Sequence, residues 1–175
     1  MTQPSTSAVR ESDSYETRFG SLAAYTKGRL ELINDDARHY AFSNVFEVAS
    51  RSAPYEKVAV GRNMEYVLEA VRAEGVSSWR TAAHDEFVLV MDGEVEIHLV
   101  KLDQSPLHPD AHGSIALEGE PLGRRMGRIV ARRGHQALLP AGAAYRFTAP
   151  TASVMIQQTT VGPDTLFRWA EIAQV

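Results

Sequence analysis

Apolar residues in this chain come in short runs broken by Gly, Pro and Asp, the punctuation of strands rather than helices. Phe87-Val88-Leu89-Val90-Met91 is apolar throughout and stops at Asp92-Gly93, a hairpin signal. A strand apolar on both faces is expected to be buried on both. The stretch that follows alternates, with Val95, Ile97 and Leu99 to one side and Glu94, Glu96 and His98 to the other. Ala137-Leu138-Leu139 runs into Pro140-Ala141-Gly142, where proline fixes φ and glycine permits a turn, and Tyr145-Arg146-Phe147 resumes the alternation. Further strands are expected at residues 27–33, closed by a turn at Asn34-Asp35-Asp36, and at 40–49, 56–60, 126–132 and 153–160. Residues 64–72 also have helical propensity, but strand-rich flanks and Gly75 favour a strand there. The Pro- and Gly-rich stretch 103–125 reads as a long loop. Residues 1–17, rich in Ser, Thr and charge, read as a flexible N-terminal tail, and 19–25 as a short helical or irregular arm. Many short strands and little helix predict an all-β antiparallel jelly roll, one domain over 18–175, with no internal repeat and no linker.

Composition narrows the function. A charged fraction of 23% beside a hydrophobic fraction of 44% fits a globular chain with a core rather than a disordered one. A net charge of −4 without a basic stripe sets nucleic acid aside as a partner. The chain has no cysteine, which removes disulfides, zinc-thiolate sites and thiol catalysis and agrees with a reducing compartment. No apolar run approaches the ~18 residues that span a bilayer, and the polar N-terminus lacks the apolar centre of a secretory signal. A soluble cytoplasmic protein, with no membrane partner, is expected.

Two stretches carry the candidate chemistry. Residues 75–93 resemble the first motif of the cupin superfamily (Gly, five residues, His-x-His, three or four residues, Glu, six residues, Gly), and residues 134–150 resemble the second (Gly, five residues, Pro-x-Gly, two residues, His, three residues, Asn). Glu86 and Gly93 stand at the first motif's spacing, and Gly134, Pro140 and Gly142 fill the second motif's turn. The His-x-His slots fall on Trp79 and Thr81 or on Arg80 and Ala82. The second His slot holds Tyr145 and the Asn slot Ala149. Three of the four usual metal ligands are therefore missing, and a single carboxylate does not hold a divalent iron, manganese or zinc. The resemblance implies a cupin double-stranded β-helix, a jelly-roll barrel with an N-terminal arm, that binds no metal of its own.

Each remaining candidate has a functional and a structural reading. Glu86 and His84, two apart on one expected strand face, line a pocket, or Glu86 is a buried carboxylate paired with an arginine or a backbone donor. A shifted metal site of His84, Glu86 and His135 is the less favoured reading, because His135 falls at the wrong strand end. His84-Asp85 with Tyr145 is similar to the base and acid groups of metal-free sugar epimerases, yet adjacent strand residues face opposite ways. Trp79 is either core filler or the cap on an aromatic substrate, in this chain's pocket or across a subunit interface. His108 and His112 read as solvated, and Lys57, Arg124 and Arg125 as surface charges.

A narrower resemblance rests on PYEKV (54–58), NMEYV (63–67), AAHDEF (82–87) and GHQALLPAG (134–142), and extends over about residues 20–173. These segments are similar to the small (alpha) subunit of the hydroquinone 1,2-dioxygenase family. The resemblance implies a two-component ring-cleaving dioxygenase that converts hydroquinone and O2 to 4-hydroxymuconic semialdehyde. It implies Fe(II) held by a large cupin subunit in a heterodimer or heterotetramer, no cofactor on this chain, and no activity of this chain alone. Trp79, His84, Glu86 and Tyr145 are then the residues expected at the substrate pocket or the interface, with Trp79 nearest substrate. The competing readings are a stand-alone metal-free cupin, acting as an isomerase or epimerase or binding a small ligand, and a structural homodimer with Glu86 and His84 closed off from solvent.

Overall fold

The computed structural model describes residues 20–26, 31, 33–35 and 44–168. The tail expected at 1–17 lies outside the described residues. So does most of the strand expected at 27–33.

One long strand, β9 (Ala143–Thr160), is the spine of the barrel. Its first half lies against β5 (Glu94–Leu102) and the short β3 (Arg80–Ala82). Its second half runs between β2 (Tyr66–Val76) and β4 (Glu86–Asp92). A strand bonded to four others cannot stay in a flat sheet, so the layers curl and close on one another. β1 (Lys57–Asn63) extends the sheet beyond β2, and β10 (Thr165–Leu166) adds to β1 in parallel. β6 (Ser114–Ala116) pairs with β3, β7 (Gly123–Arg132) with β5, and β8 (Gln136–Leu139) with β4. The core is the inward set of this alternation, including Val88 and Val90 of β4, Val95 and Ile97 of β5, and Tyr145, Phe147 and Met155 of β9.

The hairpin signal at Asp92-Gly93 is realised between β4 and β5. Gly93 has φ +81, and a Cβ there would lie 2.1 Å from Ser153 Oγ. That hydroxyl accepts the Glu94 backbone N–H, so glycine is required twice over. The strand expected at 153–160 is not separate but the second half of β9. Pro150 is accommodated inside it because the ladder breaks between Ala73 and Gly75 of β2, in a bulge that asks no N–H of proline.

Three expectations change. Within 40–49 the described residues begin a helix, α1 (Val45–Arg51), and not a strand. Asn44 Oδ1 accepts the N–H groups of Phe46 and Glu47 at 3.0 and 3.3 Å, an N-cap that outweighs the β-leaning composition. The β4 run is buried on one face only, since Phe87 is 39% exposed beside Leu138 at 42%. Finally, the loop expected at 103–125 contains β6 and the start of β7. The strand expected at 64–72 is present as β2, with Met64 in the preceding turn at φ 57.

Candidate functional site

Strand register decides which motif positions face the barrel interior. Arg80 pairs directly with Tyr145 across β3 and β9, so their side chains share a face. The inward slots are thus Arg80, Ala82, Glu86 and Tyr145. Glu86 is 0% and Tyr145 1% exposed. The phenol donates to Glu86 Oε2 at 2.6 Å and accepts from Gln157 Nε2 at 3.0 Å. Burial first, then the charge and hydrogen bond of Glu86, pushes the Tyr145 phenol well above its ordinary pKa.

Next to this trio lies a second buried set. Lys57 Nζ donates to Ser114 Oγ at 2.8 Å and stands 3.2 Å from Glu69 Oε2. Glu69 sits opposite Gln157 on the neighbouring strand, and its other oxygen accepts from Thr165 Oγ1 at 2.6 Å. Arg80 Nε also donates to Ser114 Oγ, at 3.1 Å, and its guanidinium pairs with Asp164.

These residues do not fit a divalent metal. Arginine and alanine offer no lone pair, and Tyr145 is held as a neutral donor to Glu86, the one carboxylate among the four slots. Glu86 Oε1, Gln157 Oε1 and Glu69 Oε2 remain without hydrogen-bond partners, but Glu69 Oε2 faces the Lys57 ammonium at 3.2 Å, and the two acceptors left fall short of a site. Among the described residues no group of three or more His, Asp or Glu could hold a metal.

The other sequence candidates scatter. His84 does not share a strand face with Glu86. It lies in the bend before β4, its Nε2 3.0 Å from Thr159 Oγ1 and accepting the Thr160 N–H at 3.3 Å. The accepting Nε2 places the proton of a neutral ring on Nδ1, so Thr159 is the donor. Asp85 turns away to accept the Ala141 N–H at 2.8 Å, so no His84–Asp85 pair forms. His135 is exposed in the β7–β8 turn, accepting the Arg132 N–H. His108, His112, Arg124 and Arg125 are exposed as expected. Lys57 is not a surface charge: it is 6% exposed and paired.

Trp79 lies on the other side of the wall. Arg146 follows Tyr145 in β9 and so points outward. Its guanidinium stands 4.5 Å from the centre of the Trp79 ring. Trp79 packs on Val100 and Ala144, and its Nε1 donates to Glu120 Oε2 at 2.9 Å. Glu120 Oε1 in turn accepts from Arg146 Nη1 at 2.9 Å. This trio borders a cleft of about 590 Å³ lined also by His98, Arg125 and Arg128. The structure therefore separates Trp79 from Glu86 and Tyr145 rather than joining them in one pocket.

The sequence reading placed Lys57 at the surface and passed over Glu69, Gln157, Glu120 and Arg146. A signal existed for Lys57, Glu69 and Gln157. Each stands among apolar strand residues (KVAV, VLEAV, VMIQ), where a polar side chain on the inward face must find a partner. Glu120 sits in an irregular loop and carried no local signal.

No family model matches the chain, and no curated protein matches it. Solved structures do. Hydroquinone 1,2-dioxygenase from Sphingomonas sp. TTNP3, with 4-hydroxybenzoate bound, contains a chain 56% identical to this one, with TM-score 0.87 and coverage of 93% of this chain and 99% of that one. Hydroquinone 1,2-dioxygenase PnpCD, in complex with Cd2+ and 4-hydroxybenzonitrile, contains a chain 51% identical, with TM-score 0.86 and the same coverage. A chain in the structure of hydroquinone 1,2-dioxygenase PnpCD in complex with Fe3+ is 14% identical, with TM-score 0.59 and coverage of 82% of this chain and 40% of that one, a likeness of fold. A cupin-2 domain containing protein from Shewanella frigidimarina matches 70% of this chain and 98% of its own at TM-score 0.50 and 17% identity, a likeness of fold. The barrel is a cupin.

Proposed function

The chain belongs to the hydroquinone 1,2-dioxygenase family, and we propose that it is the small, metal-free cupin subunit, whose large partner chain holds the Fe(II). The reaction joins hydroquinone and O2 into 4-hydroxymuconic semialdehyde; both oxygen atoms enter the product, so no external reductant is consumed. The observation that carries this reading is the filling of the metal slots by Arg80, Ala82 and Tyr145 in a chain similar over nearly its full length to chains of that enzyme. A barrel with its own site closed needs a function outside its interior, and a subunit role supplies it. The longer chain found in PnpCD is a cupin-like candidate for the partner. The burial of Glu86 and Tyr145 speaks against a stand-alone enzyme or binder using the barrel pocket.

Within the assembly Trp79 forms part of the substrate wall, its cleft facing the large chain, while Glu86 and Tyr145 hold the scaffold. Among the described residues no helix is long and apolar enough to cross a membrane. The test is metal content and hydroquinone-dependent oxygen uptake, for the chain alone and with the large chain. The expected result is an iron-free, inert chain that supports turnover once combined. About one iron per chain and oxygen consumption by the chain alone would overturn the proposal. Within the active complex, Trp79→Ala is expected to raise KM for hydroquinone more than it lowers kcat.

A further inference from the structure

Trp79 has only 7% of its surface exposed, yet its indole N–H points at a carboxylate that belongs to no regular element. The loop bearing that carboxylate is tied to Trp79 twice. The Leu117 N–H donates to the Trp79 carbonyl at 2.8 Å, and three residues later Glu120 returns to the ring edge. Gly119 makes this return possible with φ +73, a conformation that L side chains rarely adopt. The two Glu120 oxygens divide their work, Oε2 taking the indole and Oε1 taking Arg146, whose cation lies over the indole face. The Arg146–Glu120 pair alone has little value, because the Glu120 side chain is 75% exposed. The indole bond is different: its donor is buried, and losing the acceptor leaves that donor unpaired.

We propose that Glu120 is the positioning residue of Trp79, one carboxylate fixing both the ring edge and the cation on the ring face, and so shaping the cleft beside them. This rests on the reading that Trp79 borders the substrate site in the assembled enzyme. Glu120 touches no reacting group; it acts through Trp79. Glu120→Gln keeps an acceptor for the indole and loses the charge facing Arg146, whereas Glu120→Ala loses both. The two variants are therefore expected to grade.

The experiment has two readouts. In the assembled dioxygenase, Glu120→Ala is expected to raise KM for hydroquinone about tenfold with kcat within about twofold, and Glu120→Gln to recover most of that loss. The chain has two tryptophans, so in this chain purified alone and excited at the red edge, where tyrosine does not absorb, a Trp169→Phe background leaves Trp79 as its only emitter. There Glu120→Ala is expected to shift Trp79 emission to the red and increase its quenching by acrylamide, with the far-UV circular dichroism unchanged. Unchanged emission and quenching in Glu120→Ala would overturn the positioning role whatever KM does. If emission moves while neither Glu120→Ala nor Trp79→Ala changes KM, Glu120 does position Trp79, and the placement of Trp79 at the substrate is what falls.

Discussion

Tyr145 and Arg146 are chain neighbours in β9 that live in opposite surroundings. Tyr145 points inward, where Glu86, Gln157, Lys57 and Glu69 meet with almost no solvent exposure. Arg146 points outward, where an exposed carboxylate links it to Trp79 at the edge of an open cleft. Both clusters are a cation, an aromatic ring and a carboxylate, but water separates their energetics. Inside, water cannot replace a lost partner, so the bonds that tie Tyr145 to Glu86 and Gln157 and the Lys57–Glu69 pair each carry a large cost if broken, even though Glu86 Oε1 and Gln157 Oε1 stay without a partner. Outside, each contact is individually weak and adjustable, as suits a surface that another chain or a substrate completes. With Arg80, Ala82 and Tyr145 in the inward slots, the barrel centre is a structural core, and the outer wall is the candidate for function.

The sharpest way to break this contrast is to remove one inner charge. Lys57→Met leaves Glu69 buried without its cation and is expected to cost about 3–5 kcal/mol in denaturant unfolding, whereas the double variant Lys57→Met with Glu69→Leu recovers nearly all of it. A surface-like response of the single variant, under about 1 kcal/mol, would place the inner pair with the outer one. Next is Tyr145→Phe, which strips Glu86 Oε2 of its donor and Gln157 of its acceptor, for roughly 2–3 kcal/mol. The same variant carries a pH signature. Because the folded pKa of Tyr145 is raised, its contribution is complete below about pH 10, the ordinary phenol value, and is lost as pH rises through the folded value. Tyr145→Phe should flatten that alkaline limb. Tyr55, which burial pushes up to about 12 while its hydroxyl donates to the Gly75 carbonyl at 2.7 Å, would remain in it.

Trp79→Phe tests the outer wall: it keeps an aromatic ring but loses the donor to Glu120, so a stability loss of about 1 kcal/mol is expected, alongside a rise in KM of the assembled enzyme. The smallest effect is at Asp92. Burial alone would raise its carboxyl, but bonds from Arg133 and from the Leu22 and Gly93 N–H groups outweigh it and hold it below the usual value. Its contribution is complete above about pH 4 and fades as pH falls through the depressed folded value. Asp92→Asn should cost roughly 1 kcal/mol or less at neutral pH and remove that acid dependence. Amide exchange across residues 20–26, which Asp92 ties down through Leu22, is the measurement that reads it.

Much of the barrel was legible along the chain. The alternation over 94–102 becomes β5 without a change of boundary, and Asp92-Gly93 closes the hairpin with a positive φ at glycine. The missing histidines were equally plain, because a ligand is a matter of residue identity. The helix at Val45–Arg51 had a local signal in Asn44 and Glu47, an N-cap with an acid three residues on, that aromatic and β-branched neighbours obscured. What periodicity left open was which of two registers faces inward, and only the pairing of Arg80 with Tyr145 decides it. A strand pattern names alternating faces but cannot say which face another layer will cover. For the same reason Phe87 was expected to be buried and is not, while Lys57 was expected in water and is not. The partnerships of Lys57 with Glu69, Tyr145 with Gln157, and Trp79 with Glu120 join residues 12 to 41 positions apart. Sequence alone set the fold class and the absence of histidine from the motif slots, because both depend on residue type and short spacing. Tertiary structure alone decided which polar groups are desolvated together and which stay wet, because that depends on strands brought side by side from distant parts of the chain.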